Sequence, residues 1–235
     1  MPADEEAPIR PKVILLDVYE TLFDMTDVRE KVNDLLGSNK GYALWFESFM
    51  QYCFVDNCTC QFHEFPAIAK ATMEMMAKRF GRNLTDADYD RALDLLRHLP
   101  LHDGVQEGLS ALIDQGYRVA ALTNSPGNVV SERMEPTGLI SYFEQVLSAE
   151  KVKKYKPALE VYEWAAKKMG VEVGEVLLVS AHSWDIAGAS CSGMQTAYLH
   201  RDRQVFYSLT PKPTFVCKTL SDLVSALSTS KAAQD

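Results

Sequence analysis

Lys12-Val-Ile-Leu-Leu-Asp17-Val-Tyr-Glu-Thr21-Leu-Phe-Asp24 is the stretch on which the architecture turns. Its first part is a short apolar run cut off by an acid, the pattern of a strand buried on both faces, so it reads as a central parallel strand. Three comparable runs come much later, at Tyr117–Thr123, Glu175–Ala181 and Met194–His200. Helical patterns lie between them. Asp103–Gln115 carries Val105, Leu109, Leu112 and Ile113 on one face with Gly116 just beyond; Pro126 and Pro157 read as first-turn prolines, and Gly170 closes the helix that Pro157 opens. Strands alternating with helices of about a dozen residues indicate α/β architecture, a Rossmann-like doubly wound parallel sheet.

The stretch Met25–Leu99 breaks that rhythm. It is helical throughout, over Val28–Leu36, Tyr42–Val55, Glu64–Phe80 and Thr85–Leu99, with Thr85 and Asp88 spaced as in a capping box. The expected organisation is therefore a core of residues 12–24 and 100–224, an all-helical insert at 25–99, and tails at 1–11 and 225–235, the last of them ending in the small, polar Ser228–Asp235.

With 235 residues, 47% of them apolar and 24% charged, the chain is an ordinary globular one of one large domain or a core with an insert. Its formal charge of −8 argues against nucleic acid as a partner, since a grip on phosphate backbones is supplied by clustered Lys and Arg. The N-terminus carries Asp4, Glu5 and Glu6 and no apolar signal region, and no run approaches the ~18 apolar residues of a membrane span. A cytoplasmic protein without membrane contact is expected. Five cysteines, an odd count in such a chain, suit free thiols better than a disulfide framework.

In open α/β sheets the ligand crevice lies beyond the carboxyl ends of the strands. The residues there are polar and coherent: Asp17, then Thr123-Asn124-Ser125, then Lys156 before Pro157, then Ser180-Ala-His-Ser-Trp-Asp185. In that order these segments resemble the four motifs of the haloacid dehalogenase superfamily, and the helical insert resembles its cap. Phosphatase members of that superfamily resemble Asp-x-Asp-x-Thr and carry a further acid at the start of the fourth motif, but this chain has Tyr19 and Ser180 at those places. Tyr19, Lys156, Ser180 and the Trp184-Asp185 pair are similar instead to the L-2-haloacid dehalogenase branch.

That resemblance implies hydrolysis of the carbon-halogen bond of a small anionic 2-haloalkanoic acid, with no metal and no other cofactor. Asp17 is the implied nucleophile, forming an alkyl ester that water then hydrolyses to a 2-hydroxy acid. Lys156 is the cation that keeps it ionised, a lysine within ~4–6 Å lowering a carboxylate pKa by about 1–3 units. Thr21 and Ser180 are expected as hydrogen-bond partners of Asp17 and Lys156, and Asp185 as the group that orients Lys156 or polarises the hydrolytic water. Thr123, Asn124 and the amides before the next helix are expected to clamp the substrate carboxylate, with Tyr19 as a pocket wall.

Two positions depart from the branch. His182 stands where an Asn is usual, and its imidazole is a candidate general base. Phe46, in Trp45-Phe46-Glu-Ser-Phe-Met-Gln-Tyr52, replaces the cap arginine that reaches for carboxylate or halide, which leaves Lys156 and the helix amides near Asn124 as the only evident positive sources. Glu20, where the family more often has Gly, is assigned no role. The alternatives are a phosphatase or other hydrolase on the same scaffold, and a catalytically silent small-anion binder; a mere pocket, however, has no need of a nucleophile and its cation. Cys53, Cys58, Cys60 and His63 lack the CxxC pair or second His of a zinc site. The stripe Tyr42, Trp45, Phe46, Phe49, Tyr52 reads as core packing, partly roofing the site; were those aromatics exposed, they would point to a homodimer.

Overall fold

In a computed structural model, which describes residues 10–202 and 204–232, Val13–Leu16 forms β1 with all four residues buried. It sits in the middle of a six-stranded sheet of order β3-β2-β1-β4-β5-β6. Its companions are β2 (Arg118–Thr123), β3 (Val146–Ser148), β4 (Val176–Ser180), β5 (Gln195–Leu199) and β6 (Phe215–Cys217), and all five pairings are parallel. Successive side chains point to opposite faces. Ile14 and Leu16 therefore join one apolar cluster while Val13 and Leu15 join another, and burial on both sides explains why the strand is apolar throughout.

Four helices follow β1: α1 (Thr26–Leu36), α2 (Gly41–Thr59), α3 (Phe65–Arg79) and α4 (Asp86–Leu95). Val28, Val32, Leu36, Met73 and Met76 from this block belong to the same buried cluster as Ile14 and Leu16, so the helical insert shares a continuous core with one face of the sheet. Next come α5 (Val105–Asp114), α6 (Gly127–Met134), α7 (Leu159–Met169), α8 (Ser183–Ser192) and α9 (Leu220–Ala232). Residues of α5, α6 and α9 cover the Ile14 face, and those of α7 and α8 cover the Val13 face. Among the described residues no helix is long and apolar enough to cross a membrane.

The observed fold differs from the sequence reading in four places. β3 and β6 are three residues each, too short to register as apolar runs, and β6 lies at the sheet edge with Val216 68% exposed. Pro157 is not in a first helical turn: α7 begins at Leu159 after an extended Ala158, and the Lys156–Pro157 bond is cis. Pro126 is the N-cap of α6 and precedes its first turn. Much of the stretch expected as a tail from 225 is helix, because Leu220, Leu223 and Leu227 recur on one face and are buried. The other parts of the expected tails, 1–9 and 233–235, lie outside the described residues.

The order of strands fixes the site. From β1 the chain steps to β2 and β3 on one side and later to β4, β5 and β6 on the other, so the strand order reverses at β1. Leu16 is flanked by Ala121 and Val179, and the residue that leaves the sheet at this switch point is Asp17.

Candidate active site

Lys156 is the organising side chain. It is completely buried, and its ammonium donates to Asp17 Oδ1 at 2.8 Å, Asp185 Oδ2 at 2.7 Å and the carbonyl of Leu122 at 3.0 Å. All three N–H donors are thus satisfied without water. Its backbone is held as firmly: the Asn124 side chain accepts from Lys156 N at 2.8 Å and donates to its carbonyl at 3.4 Å. The outer oxygen of Asp185 accepts from the Tyr162 hydroxyl at 2.6 Å.

Asp17 leaves β1 with its N–H bonded to Val179 O at 3.0 Å, and its second oxygen accepts from Thr21 at 2.7 Å. Thr21 is itself fixed, since its hydroxyl accepts from Ala181 N at 3.0 Å. Burial opposes ionisation of Asp17, but Lys156, His182 and the Thr21 hydrogen bond together hold its pKa below the ordinary 3.8. Burial, aided by the charge of Asp17, instead pushes Asp185 up against the pull of Lys156. The two carboxylates flanking one cation are thus unlike, and Asp17 is the better-stabilised anion.

His182 caps α8 and approaches Asp17 from the other side, its Nε2 3.7 Å from Asp17 Oδ2, 3.9 Å from Glu20 Oε2 and 3.3 Å from the carbonyl of Tyr19. Its ring stacks on Trp184 at 5.0 Å and on Phe46 at 5.8 Å. A cavity of about 740 Å³ opens above Asp17, bounded by the strand-end loops below and by α1, α2 and α3 above.

A model of the haloacid dehalogenase-like hydrolase family matches residues 11–193, the span that carries every one of these groups. The chain belongs to that family. Among its relatives is the (S)-2-haloacid dehalogenase of Pseudomonas fluorescens, 24% identical over 89% of this chain and 93% of that one. A solved L-2-haloacid dehalogenase superposes with a TM-score of 0.86 at 22% identity, covering 94% of this chain and all of the other. Another, from Xanthobacter autotrophicus with chloropropionic acid covalently bound, gives 0.82 at 19% identity over 93% and 98% of the two chains.

Within this hydrolase the structure gathers Asp17, Thr21, Lys156, Asp185 and His182 into one contact network, and Tyr19, Thr123, Asn124 and Phe46 line the same cavity. Two side chains do something other than expected. The Ser180 hydroxyl accepts from His182 N at 3.1 Å, so it shapes the loop before α8 and bonds neither Asp17 nor Lys156. Asn124 spends its oxygen and one N–H on the Lys156 backbone, and Thr123 Oγ1 accepts from Ser125 N, so one amide N–H of Asn124 and the Thr123 O–H are what these two side chains can still turn to the cavity.

Three residues of the hydrolase escaped the sequence reading. Arg133 extends from α6 into the cavity, donates to the Tyr19 hydroxyl and lies over its ring. It brings a positive charge to the cavity wall; its position four residues after Val129, which also lines the cavity, is the one signal that could have found it. Tyr162 reads as an apolar helix position until its hydroxyl is seen on Asp185. Glu20 adopts φ +62°, a left-handed conformation that suits Gly, and its buried carboxylate accepts from Arg29, Tyr42 and Gln204.

Gly188 in α8 is required for close approach. A Cβ there would fall 2.6 Å from Pro157 Cβ and 2.7 Å from the Tyr162 hydroxyl, the two neighbours that frame Lys156 and Asp185. Gly188→Ala is expected to cost about 1–3 kcal/mol of stability by overpacking and to depress activity further by moving Tyr162. Chemical denaturation alongside turnover would check it; wild-type values in both would mean that the helix yields freely.

Because Asp17 titrates lower in the folded chain than in the unfolded one, its ionised form contributes stability above pH 3.8, and that contribution is lost as pH falls through the folded value. Any activity that requires ionised Asp17 is therefore expected to keep its acid limb below pH 3.8. Rapid-quench rates between pH 6 and pH 3 read it directly; a limb centred above pH 4.5 would contradict the assignment.

Proposed function

We propose that the protein is a metal-independent 2-haloacid dehalogenase working through an ester of Asp17. The observation that carries this reading is the placement of Lys156 Nζ between Asp17 and Asp185, at 2.8 and 2.7 Å. A carboxylate is a weak nucleophile in water, and partial burial beside a fixed cation keeps it ionised while stripping its hydration. An oxygen of Asp17 bonds to C2 of the substrate as the carbon-halogen bond breaks and the halide leaves with the electron pair. Water then adds to the Asp17 carboxyl carbon. Collapse of the tetrahedral adduct expels the 2-hydroxy acid and restores Asp17 with one oxygen from water.

His182 is the proposed base for that second step. Its Nε2 lies 3.7 Å from Asp17 Oδ2 and 3.9 Å from Glu20 Oε2, so the ring stands beside the carboxyl that the water attacks. The proton it takes from water returns to the departing alkoxide. Arg133 is the proposed partner of the substrate carboxylate or halide, being the cation of the cavity wall whose hydrogen bond here is to a neutral phenol.

A divalent ion fits this donor set poorly. The position between Asp17 and Asp185 is filled by the ammonium of Lys156, and Tyr19 and Ser180 bring no carboxylate where a hard cation would need one. The phosphatase alternative accordingly lacks both its proton shuttle and part of its metal site.

Halide release from 2-bromopropionate with a chelator present, set against phosphate release from a generic phosphoester with Mg²⁺, tests the reading. Chelator-resistant halide release is expected; Mg²⁺-dependent phosphate release with no halide would overturn it. In His182→Asn the ester is expected to form at close to the wild-type rate and then persist, giving one halide per chain and a stable adduct by intact mass. Multiple turnovers in that variant would remove His182 from the role.

A further inference from the structure

The cavity is far larger than the substrate of the proposed reaction requires. At the ~30 Å³ that a water-sized group takes in a liquid, the six heavy atoms of 2-chloropropionate would occupy about a quarter of its 740 Å³. Volumes of ~300–1,000 Å³ are those of sites that enclose drug-sized ligands.

Its chemistry is divided as well. Asp17, Glu20, Glu132, Arg133 and Lys156, the charged residues that line it, come from the loop after β1, from α6 and from the segment before α7. The α2 and α3 walls contribute only Tyr42, Trp45, Phe46, Phe49, Met50, Phe65, Pro66 and Ala69, and α1 adds Val28. These walls are also fixed. Phe49 stacks on Trp45 at 5.7 Å and meets Phe65 at 4.4 Å, while the Trp45 indole donates to the carbonyl of Ala69 at 3.1 Å. The apolar end is therefore a preformed surface that a two- or three-carbon acid held at Asp17 would leave in contact with water.

We infer that the cavity seats 2-haloacids with an apolar tail, an unbranched chain of six to eight carbons in all or one of similar bulk, with C2 at Asp17 and the tail lying along the apolar wall that α2 and α3 present together. This rests on the dehalogenase reading and narrows it to a substrate class. Arg133, on the core side of the cavity, holds the carboxylate end, so a single molecule satisfies both halves of the lining. Phe46 acquires a purpose here: it continues the apolar wall down to His182, where an arginine would place a charge in the path of the tail.

The test is a series of 2-bromo acids from propionate to octanoate, followed by halide release, with the matching unhalogenated acids as thermal-shift ligands. Burying ~0.8 kcal/mol of tail per methylene corresponds to about a three- to fourfold gain in kcat/KM at each step. The octanoate derivative is thus expected to exceed the propionate by at least about a hundredfold, mostly through KM. Ala69→Phe, which fills the apolar end, is expected to shrink that ratio at least tenfold.

A flat or falling series, with 2-bromopropionate turned over, would overturn the inference and leave the dehalogenase reading standing. Length-dependent binding of the unhalogenated acids without halide release from any bromo acid would support the tail site and sink the dehalogenase reading. Absence of both would overturn the two together.

Discussion

Lys156→Met is expected to abolish the first chemical step and to destabilise the fold at the same time. The ammonium has three buried acceptors, two of them carboxylates, and methionine leaves Asp17 and Asp185 facing each other with no cation between them. Removing one partner from a buried ionic pair typically costs about 3–5 kcal/mol. The protein has a second course, which is to take up a proton, and Asp185 would be first because burial and the charge of Asp17 already raise it. Either outcome lifts the pKa of Asp17 as well, since Lys156 is the largest influence lowering it. Activity should therefore fall by at least about a thousandfold, and the stability lost should be partly recovered as pH is lowered toward 5, as the two carboxyls take up a proton. Denaturant midpoints at pH 8 and pH 5 measure this. Equal losses at both would show that the lysine acts by packing alone.

Asp17→Asn separates chemistry from stability. The substitution removes the proposed nucleophile, and loss of a nucleophile on which a whole mechanism depends costs on the order of 10⁴–10⁶ in rate. Lys156 nonetheless keeps Asp185 as its counter-ion and the Leu122 carbonyl as a further acceptor, so the remaining buried charges are balanced. The change in stability should stay within about 1.5 kcal/mol, the worth of one hydrogen bond. Halide release should vanish while the thermal shift with octanoate survives, since that ligand is held by Arg133 and the α2 and α3 walls. Residual turnover above about a hundredth of wild type would mean that another group performs the displacement.

How much of this was legible in the sequence differed from residue to residue, and for physical reasons. Asp17, Lys156 and Asp185 could be read because each stands at a strand end or a helix start, where a charged residue following an apolar run is conspicuous. β1, β2, β4 and β5 were legible because burial on both faces makes a strand continuously apolar, whereas β3 and β6, at the two edges and three residues long, leave no such mark. Ser180 and Asn124 carry the expected residue types, but which partner a hydroxyl or an amide chooses depends on atoms 2 and 32 positions away in the chain. Arg133 was hidden because a surface-type helix gives no sign of which face meets a cavity whose other walls come from the insert. Glu20 was hidden for a similar reason: its partners Arg29, Tyr42 and Gln204 are drawn from two helices and a distant loop.

The positive charge that seemed scarce along the chain is thus present in space. Arg133 enters from the core side, and the cap side is left to apolar contact. In the proposed reaction Asp17 carries out the displacement, His182 assists the hydrolysis, and α2 and α3 choose the substrate.

Displacement through an Asp17 ester is the central claim, and isotope transfer to that carboxylate tests it most directly. A single-turnover incubation with excess enzyme, 2-bromopropionate and chelator in H₂¹⁸O, followed by mass analysis of the peptide containing Asp17, is expected to place one ¹⁸O in that peptide and none in the hydroxy acid first released. Label in the hydroxy acid with an unlabelled Asp17 peptide would show direct attack by water on the substrate, and would contradict the account.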